Sequence, residues 1–253
     1  MLNNPTVEKL LSMKLAGMVK ALQQQEEVPE LQKLSFHERL GLLVDQEHSE
    51  QENARFSQRL KFAKLRQQAC LEDINFQHSR GLDKLLIGQL ASCQWIKEAL
   101  NVLITGPTGV GKSYIACALA HKACRMGHSS LYYRAPRFFQ DLTLARMNGS
   151  YGRLLMKISK VELLVLDDFA LAPITEENSR DLLEVADDRC NLHSTIVVSQ
   201  LPVEHWYQTI PNATIADAIL DRVVHSAYRI GLQGESLRKK NKKLLTQKVN
   251  KDS

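Results

Sequence analysis

Apolar residues return at helical intervals through the first quarter of the chain. Val7, Leu10, Leu11, Leu15, Met18 and Leu22 form one stripe, interrupted only by Lys14. The spacing predicts one helix, which Pro29 ends. A second helix is predicted from Ser35-Phe36-His37-Glu38, where a serine precedes a glutamate by three positions and fits a capping box. It runs to about Arg66. Glycine occurs in residues 1–70 only as Gly17 and Gly41. This stretch reads as a separate helical domain for self-association or partner docking. The alternative is a helical decoration packed on the main core.

From residue 101 the pattern changes to short apolar runs separated by helical stretches. Strands are predicted at 101–105, 129–134, 162–167, 194–199 and 228–232. This alternation implies an α/β fold, a three-layer domain over 71–237 with a largely parallel sheet. Residues 71–100 connect the two parts and contain Gly81 and Gly88. Their Phe76, Leu82 and Ile87 either line an adenine pocket or belong to the core.

One loop in this pattern carries chemistry. Gly106, Pro107, Thr108, Gly109, Val110, Gly111, Lys112 and Ser113 fill every position of G-x-x-x-x-G-K-[ST]. A polyphosphate must be wrapped closely by converging backbone N–H groups, and glycine permits the angles required. Lys112 then reaches the β- and γ-phosphates, and the Ser113 hydroxyl is placed to ligate Mg²⁺. A strand, Asn101–Thr105, precedes the loop, and a helix, Tyr114 to Met126, comes after it. That order suits a P-loop, because the helix adds its positive end.

Downstream, Leu163-Leu164-Val165-Leu166 runs into Asp167-Asp168, the Walker B arrangement. Adjacent carboxylates suit two jobs: Asp167 holds the metal ion, usually through water, and Asp168 orients or deprotonates the attacking water. The 194–199 strand ends in Ser199-Gln200. At that spacing it is a sensor-1 position for the γ-phosphate, with Gln200 the better candidate. Arg222 lies on an apolar-faced helix after the fourth strand. A guanidinium is always charged and binds phosphate oxygens bidentately. Supplied from a neighbouring subunit, it would stabilise the transferring phosphoryl group. The alternative is a local salt bridge with Asp217 or Asp221.

Composition narrows the setting. The 253 residues are 44% hydrophobic, enough for one sizeable core and a smaller appendage. No run of 18 apolar residues occurs, so no transmembrane helix is expected. The N-terminus does not read as a signal peptide. Five scattered cysteines without C-x-x-C spacing read as free thiols of a reducing cytosol. The net charge of +5 is concentrated. Residues 238–253 hold seven Lys/Arg against Asp252, and Lys122 to Lys160 holds eight against Asp141. Glu26 to Glu52 instead carries eight acids against Lys33 and Arg39. Such blocks mark interaction faces. A metabolic P-loop kinase would need neither the basic surfaces nor Arg222 in trans.

The segments GPTGVGKS, LLVLDDFALAP, STIVVSQLPVEHW, ADAILDRVVHSAYRI and GESLRKK, with LEDINFQHSRGLDK at 71–84, occur in this order. Together they resemble the IstB-like ATPases, transposition helpers of bacterial insertion sequences. These belong to the AAA+ class and are similar to the DnaC helicase loaders. The resemblance implies a small all-helical domain before a P-loop AAA+ ATPase domain, with ATP and Mg²⁺ as cofactors. It implies assembly of copies on duplex DNA, recruitment of a partner transposase, and an arginine finger at Arg222. Arg238 is matched to a sensor-2 arginine. A helicase-loading adaptor that uses ATP as a switch is the alternative role. In helicase loaders and initiators the region corresponding to Arg134–Lys160 carries a helical insertion facing DNA, which implies Arg137, Arg146, Arg153 and Lys157 as DNA contacts. Phe138, Phe139 and Tyr151 there are candidates for base stacking or for a helix core. Two departures stand out. Asp168 fills a position that is usually Glu in AAA+ ATPases, and Ala170 replaces the glycine of DDFG, which changes the turn.

Overall fold

A computed structural model describes residues 5–76 and 80–237. The chain separates into two compact units, one ending at Gln58 and one beginning at Arg59.

The first unit is helical: α1 (Pro5–Ser12), α2 (Ala16–Glu27), α3 (Pro29–Gln32) and most of α4 (Phe36–Ala63). The capping box forms, with Glu38 Oε2 accepting from the Ser35 amide at 2.8 Å. The single helix expected across Lys14 is two helices. Lys14 is left-handed, with φ 62°, so the helix breaks where the stripe is interrupted. The cause is a tertiary contact. Glu47 of α4 accepts from the amides of Gly17 (2.8 Å) and Met18 (3.1 Å), capping the start of α2. A Cβ on Gly17 would lie 2.7 Å from Glu47 Cα, so only glycine allows this approach.

The second unit adds α5 (Lys84–Ala91), α6 (Gln94–Lys97), β1 (Asn101–Thr105), α7 (Lys112–Arg125), β2 (Ser130–Arg134), α8 (Ala135–Met147), α9 (Tyr151–Lys160), β3 (Leu163–Phe169), α10 (Glu176–Arg189), β4 (Ser194–Ser199), α11 (Ala213–Val224) and β5 (Ala227–Gly231). The five strands lie in the order β2-β3-β4-β1-β5, and every neighbouring pair is parallel. All five match the strands read from the sequence. Alternate residues feed two cores. Val102, Ile104, Val165 and Ile196 pack with α5, α6 and α7. Leu103, Leu131, Leu164 and Val197 face α8, α9, α10 and α11. The result is the expected three-layer α/β domain.

Three details position the site. The P-loop leaves the carboxyl end of β1, inside the sheet between β4 and β5. Arg134, the last residue of β2, is in register with Asp167. The β3 strand continues to Phe169 through a bulge: Leu166 opposes Val197 and Phe169 opposes Ser199, so Asp167 and Asp168 together face one β4 position.

Candidate nucleotide site

Lys112 is the first residue of α7, and its buried amine donates to the carbonyls of Gly106 (2.6 Å) and Pro107 (2.8 Å). Burial pushes this ammonium below the usual lysine range, against the opposing pull of Asp167 and Asp168. The loop is closed from the other side by the chain after β5. Leu237 donates its amide to Gly109 O at 2.9 Å. A Cβ at Gly106, whose φ is 142°, would fall 2.3 Å from Leu232 O. The loop glycines thus serve its packing as well as its curvature.

The Walker B carboxylates occupy different environments. Asp167 is 1% exposed. Its Oδ2 accepts from the Tyr132 hydroxyl at 2.5 Å and its Oδ1 from the Asp168 amide at 2.8 Å. Burial, reinforced by Asp167, raises the Tyr132 phenol well above its ordinary value, so it remains a donor. The Asp168 side chain is 17% exposed and its backbone is left-handed, φ 58°. Arg134 donates through Nε to Asp168 Oδ2 at 2.7 Å. Arg66 Nη1 lies 3.7 Å from Asp167 Oδ2 and 3.8 Å from Asp168 Oδ2. Sequence reasoning assigns neither arginine to the site. No motif marks Arg66, and Arg134 meets Asp168 only because β2 lies beside β3.

Gln200 reaches the same place, accepting from the Thr108 hydroxyl at 2.7 Å. Together Arg66, Lys112, Ser113, Arg134, Asp168 and Gln200 line a cleft of about 660 Å³. Its remaining wall includes Ile74, Asn75, Arg80 and Tyr114. Phe76, Leu82 and Ile87 are not on it. They pack into the core beneath, because their apolar side chains complete the layer over α7. Buried Arg80 ties this connector to the loop, donating to Asn75 O (2.7 Å) and Val110 O (3.2 Å). The donor set Ser113 hydroxyl and Asp167 carboxylate is hard oxygen, which fits Mg²⁺ bound largely through water and phosphate.

The family profile described as IstB-like ATP binding protein matches residues 8–245. The chain belongs to the IstB-like family. A Sinorhizobium fredii protein, y4pL, whose name makes it an ATP-binding protein of an insertion sequence, is 49% identical over 243 residues, covering 96% of this chain and 99% of that protein. The crystal structure of DnaI aligns with a TM-score of 0.57 at 22% identity, over 65% of this chain and 91% of that one. AMPPCP-bound DnaA from Aquifex aeolicus gives 0.57 at 18% identity, over 73% of this chain and 56% of DnaA. At such identities these two establish the fold, that of P-loop AAA+ proteins. The chain therefore combines membership of the IstB-like family with a fold shared with DnaI and DnaA.

The remaining expected residues lie elsewhere on the IstB-like fold. Arg222 is at the opposite end of the strands from the P-loop. Its carbonyl accepts from the side chain of Asn101, the first residue of β1, at 3.2 Å. The P-loop begins beyond the far end of that strand, about 17 Å away at ~3.3 Å per residue. Arg222 pairs with Asp187 of α10, and with neither Asp217 nor Asp221. The cause is packing, since α11 lies against α10. Arg238 falls outside the described residues. Phe138 and Phe139 are buried in the core, which rules out base stacking by them. The Tyr151 hydroxyl lies 2.7 Å from an Asp181 carboxylate oxygen and 2.8 Å from one of Glu184, its single proton shared between them. Arg146 pairs with Asp181 and Glu177 and stacks on Tyr151, and Arg137 pairs with Asp141 at 2.9 Å. Arg153 is exposed on α9, and the Lys157 amine sits 5.1 Å from the centre of the Phe62 ring. No helix among the described residues is long and apolar enough to cross a membrane.

Proposed function

We propose that this protein is a regulatory ATPase that assembles on duplex DNA and recruits and stimulates the transposase of its insertion sequence. The observation that carries the reading is the separation of Arg222 from its own nucleotide cleft by the length of β1. A subunit in this reading holds Lys112, Asp168 and Gln200 on one cleft, with Asp167 buried beside Asp168, and carries Arg222 at the opposite ends of the strands, so a complete hydrolytic site needs two copies. In this reading Lys112 and the P-loop amides bind the triphosphate, Ser113 and Asp167 hold Mg²⁺, and Asp168 takes the proton of the attacking water. Gln200 positions that water. When bound, Mg²⁺ neutralises charge on the phosphates.

DNA affinity comes from the α8–α9 face. Arg153, Lys157 and Lys160 recur at i, i+4 and i+7 on α9 and make a basic stripe along one side of that helix. Arg137 and Arg146 are the basic residues that α8 adds. The insertion-sequence name of the relative favours a transposase over a replicative helicase as partner. The free cysteines suit the cytoplasm.

The test measures ATP hydrolysis and duplex binding together. Duplex DNA is expected to stimulate hydrolysis, and affinity is expected to fall by orders of magnitude between about 50 and 200 mM salt. Charge reversal at Arg153 and Lys157 should reduce both the affinity and the salt slope. A flat salt response, or full binding by the double variant, would remove α9 as the DNA face.

A further inference from the structure

We propose that Tyr132 is a positioning residue for the metal ion, its buried hydroxyl setting the orientation in which the Asp167 carboxylate meets Mg²⁺. The inference rests on the ATPase reading of the same cleft. It adds a residue that stands behind the cleft wall and is not part of it.

Strand register brings the two side chains together. Tyr132 of β2 lies opposite Val165 of β3, and Asp167 comes two residues after Val165. Side chains two apart on a strand point to the same face. Tyr132, Val165 and Asp167 therefore all face α7, and the first two enter the core on that side of the sheet. A diagonal neighbour of this kind is within reach of a long aromatic side chain. The phenol spans the diagonal and donates to Asp167 Oδ2 at 2.5 Å.

The hydroxyl is what needs a reason. Tyr132 is 7% exposed, and a phenylalanine would fill the same place in the core. A hydroxyl carried to that depth costs solvation unless it is bonded, and a bond to an ionised oxygen is among the strong ones. A phenol has a single proton to give, so this one is committed to Asp167. The Asp168 amide donates to the other oxygen, Oδ1, at 2.8 Å. One donor on each oxygen fixes the plane of the carboxylate. Because a carboxylate has about four lone-pair sites, both oxygens keep a site for the metal or its waters.

A partner that holds a metal-ligating side chain in place is typically worth about tenfold to a hundredfold in metal affinity. Tyr132→Phe keeps the ring and its packing. Asp167 then retains the Asp168 amide, loses the bond on Oδ2 and is free to rotate. Phosphate binding by Lys112 and the P-loop amides does not pass through Tyr132.

The experiment titrates a fluorescent non-hydrolysable triphosphate into the full chain at a series of Mg²⁺ concentrations and in EDTA. Tyr132→Phe should bind within about twofold of wild type in EDTA. The Mg²⁺ concentration that gives half of the metal's effect should rise about tenfold to a hundredfold. An unchanged Mg²⁺ midpoint overturns the proposal, and so does an equal loss with and without metal, which is what a packing role predicts. Should Tyr132→Phe not fold, 3-fluorotyrosine at position 132 retains the hydroxyl and serves as a reporter. Its fluorine resonance should shift when Mg²⁺ joins the bound triphosphate, and a resonance that ignores the metal refutes the positioning role. The underlying ATPase reading fails separately: wild type then binds no triphosphate at any Mg²⁺ concentration, or Lys112→Ala binds it as well as wild type does.

Discussion

Asp168 joins a chemical role to an unusual backbone. Its φ of 58° is a conformation that asparagine and aspartate tolerate and β-branched residues do not. Asp168→Asn therefore preserves the turn and removes the base, together with the charge that Arg134 and Arg66 pair with. Nucleotide affinity should stay near wild type while hydrolysis falls about 10²-fold or more. Hydrolysis at the wild-type rate would show that another group takes the proton. Two residues later, Ala170 has φ 55°, the conformation that the glycine of DDFG adopts freely. An alanine there costs about 1–2 kcal/mol, against about 0.5–1 kcal/mol of chain entropy lost on ordering a glycine. Ala170→Gly should leave nucleotide binding unchanged and raise Tm by up to about 2–4 °C. A lower Tm would mean that the buried methyl contributes more packing than the turn costs in strain.

Among the elements, Glu47 joins α4 to the start of α2, beside the Lys20–Glu50 pair and the Gln25–Arg39 bonds. The Gln51 amide, and after it the amides of Met18 and Gly17, hold Glu47 below the usual carboxylate range in spite of burial. A depressed carboxylate contributes stability above its unfolded pKa and loses it as pH falls through the folded pKa. Glu47→Gln keeps an acceptor but not the charge. It should lower the thermal stability of the N-terminal helices at pH 7, and the difference from wild type should close as pH drops below roughly 4. Far-ultraviolet circular dichroism melts across that range check this. A difference that persists undiminished in acid would assign the effect to packing alone.

For the whole molecule, the decisive question is whether sites are completed between copies. Arg222→Ala leaves its own cleft intact, and Lys112→Ala leaves its own arginine intact. Each should be inactive alone, the first by roughly 10²–10⁵ in rate if the arginine acts on the transition state. A mixed assembly contains interfaces with an intact P-loop facing an intact Arg222, so it should recover part of the activity. Arg222 also bonds the Ala218 carbonyl and pairs with Asp187. A purely structural role therefore predicts lower stability and no recovery. Absence of recovery at every mixing ratio, with co-assembly verified by mass photometry, would refute action in trans.

Features that depend on local pattern are legible in the chain alone. Continuous apolar runs mark the interior strands β1, β3 and β4, because a parallel strand buried on both faces admits little else, and shorter mixed runs mark the edge strands β2 and β5. The P-loop and the Asp167-Asp168 pair are legible because their chemistry demands particular residue types at set spacings. The α/β class is legible too, since strands alternate with helices. Other features come from long-range packing. Lys14 interrupts a helix because Glu47, far along the chain, caps the start of α2, and no local propensity encodes that contact. Arg66 and Arg134 reach the Walker B carboxylates through strand order and through the anchoring of a loop on α7. Arg222 finds Asp187 across a helix interface in place of its nearer neighbours Asp217 and Asp221. Charged side chains are long and mobile, so the partner that each takes is set by which backbones the core brings together.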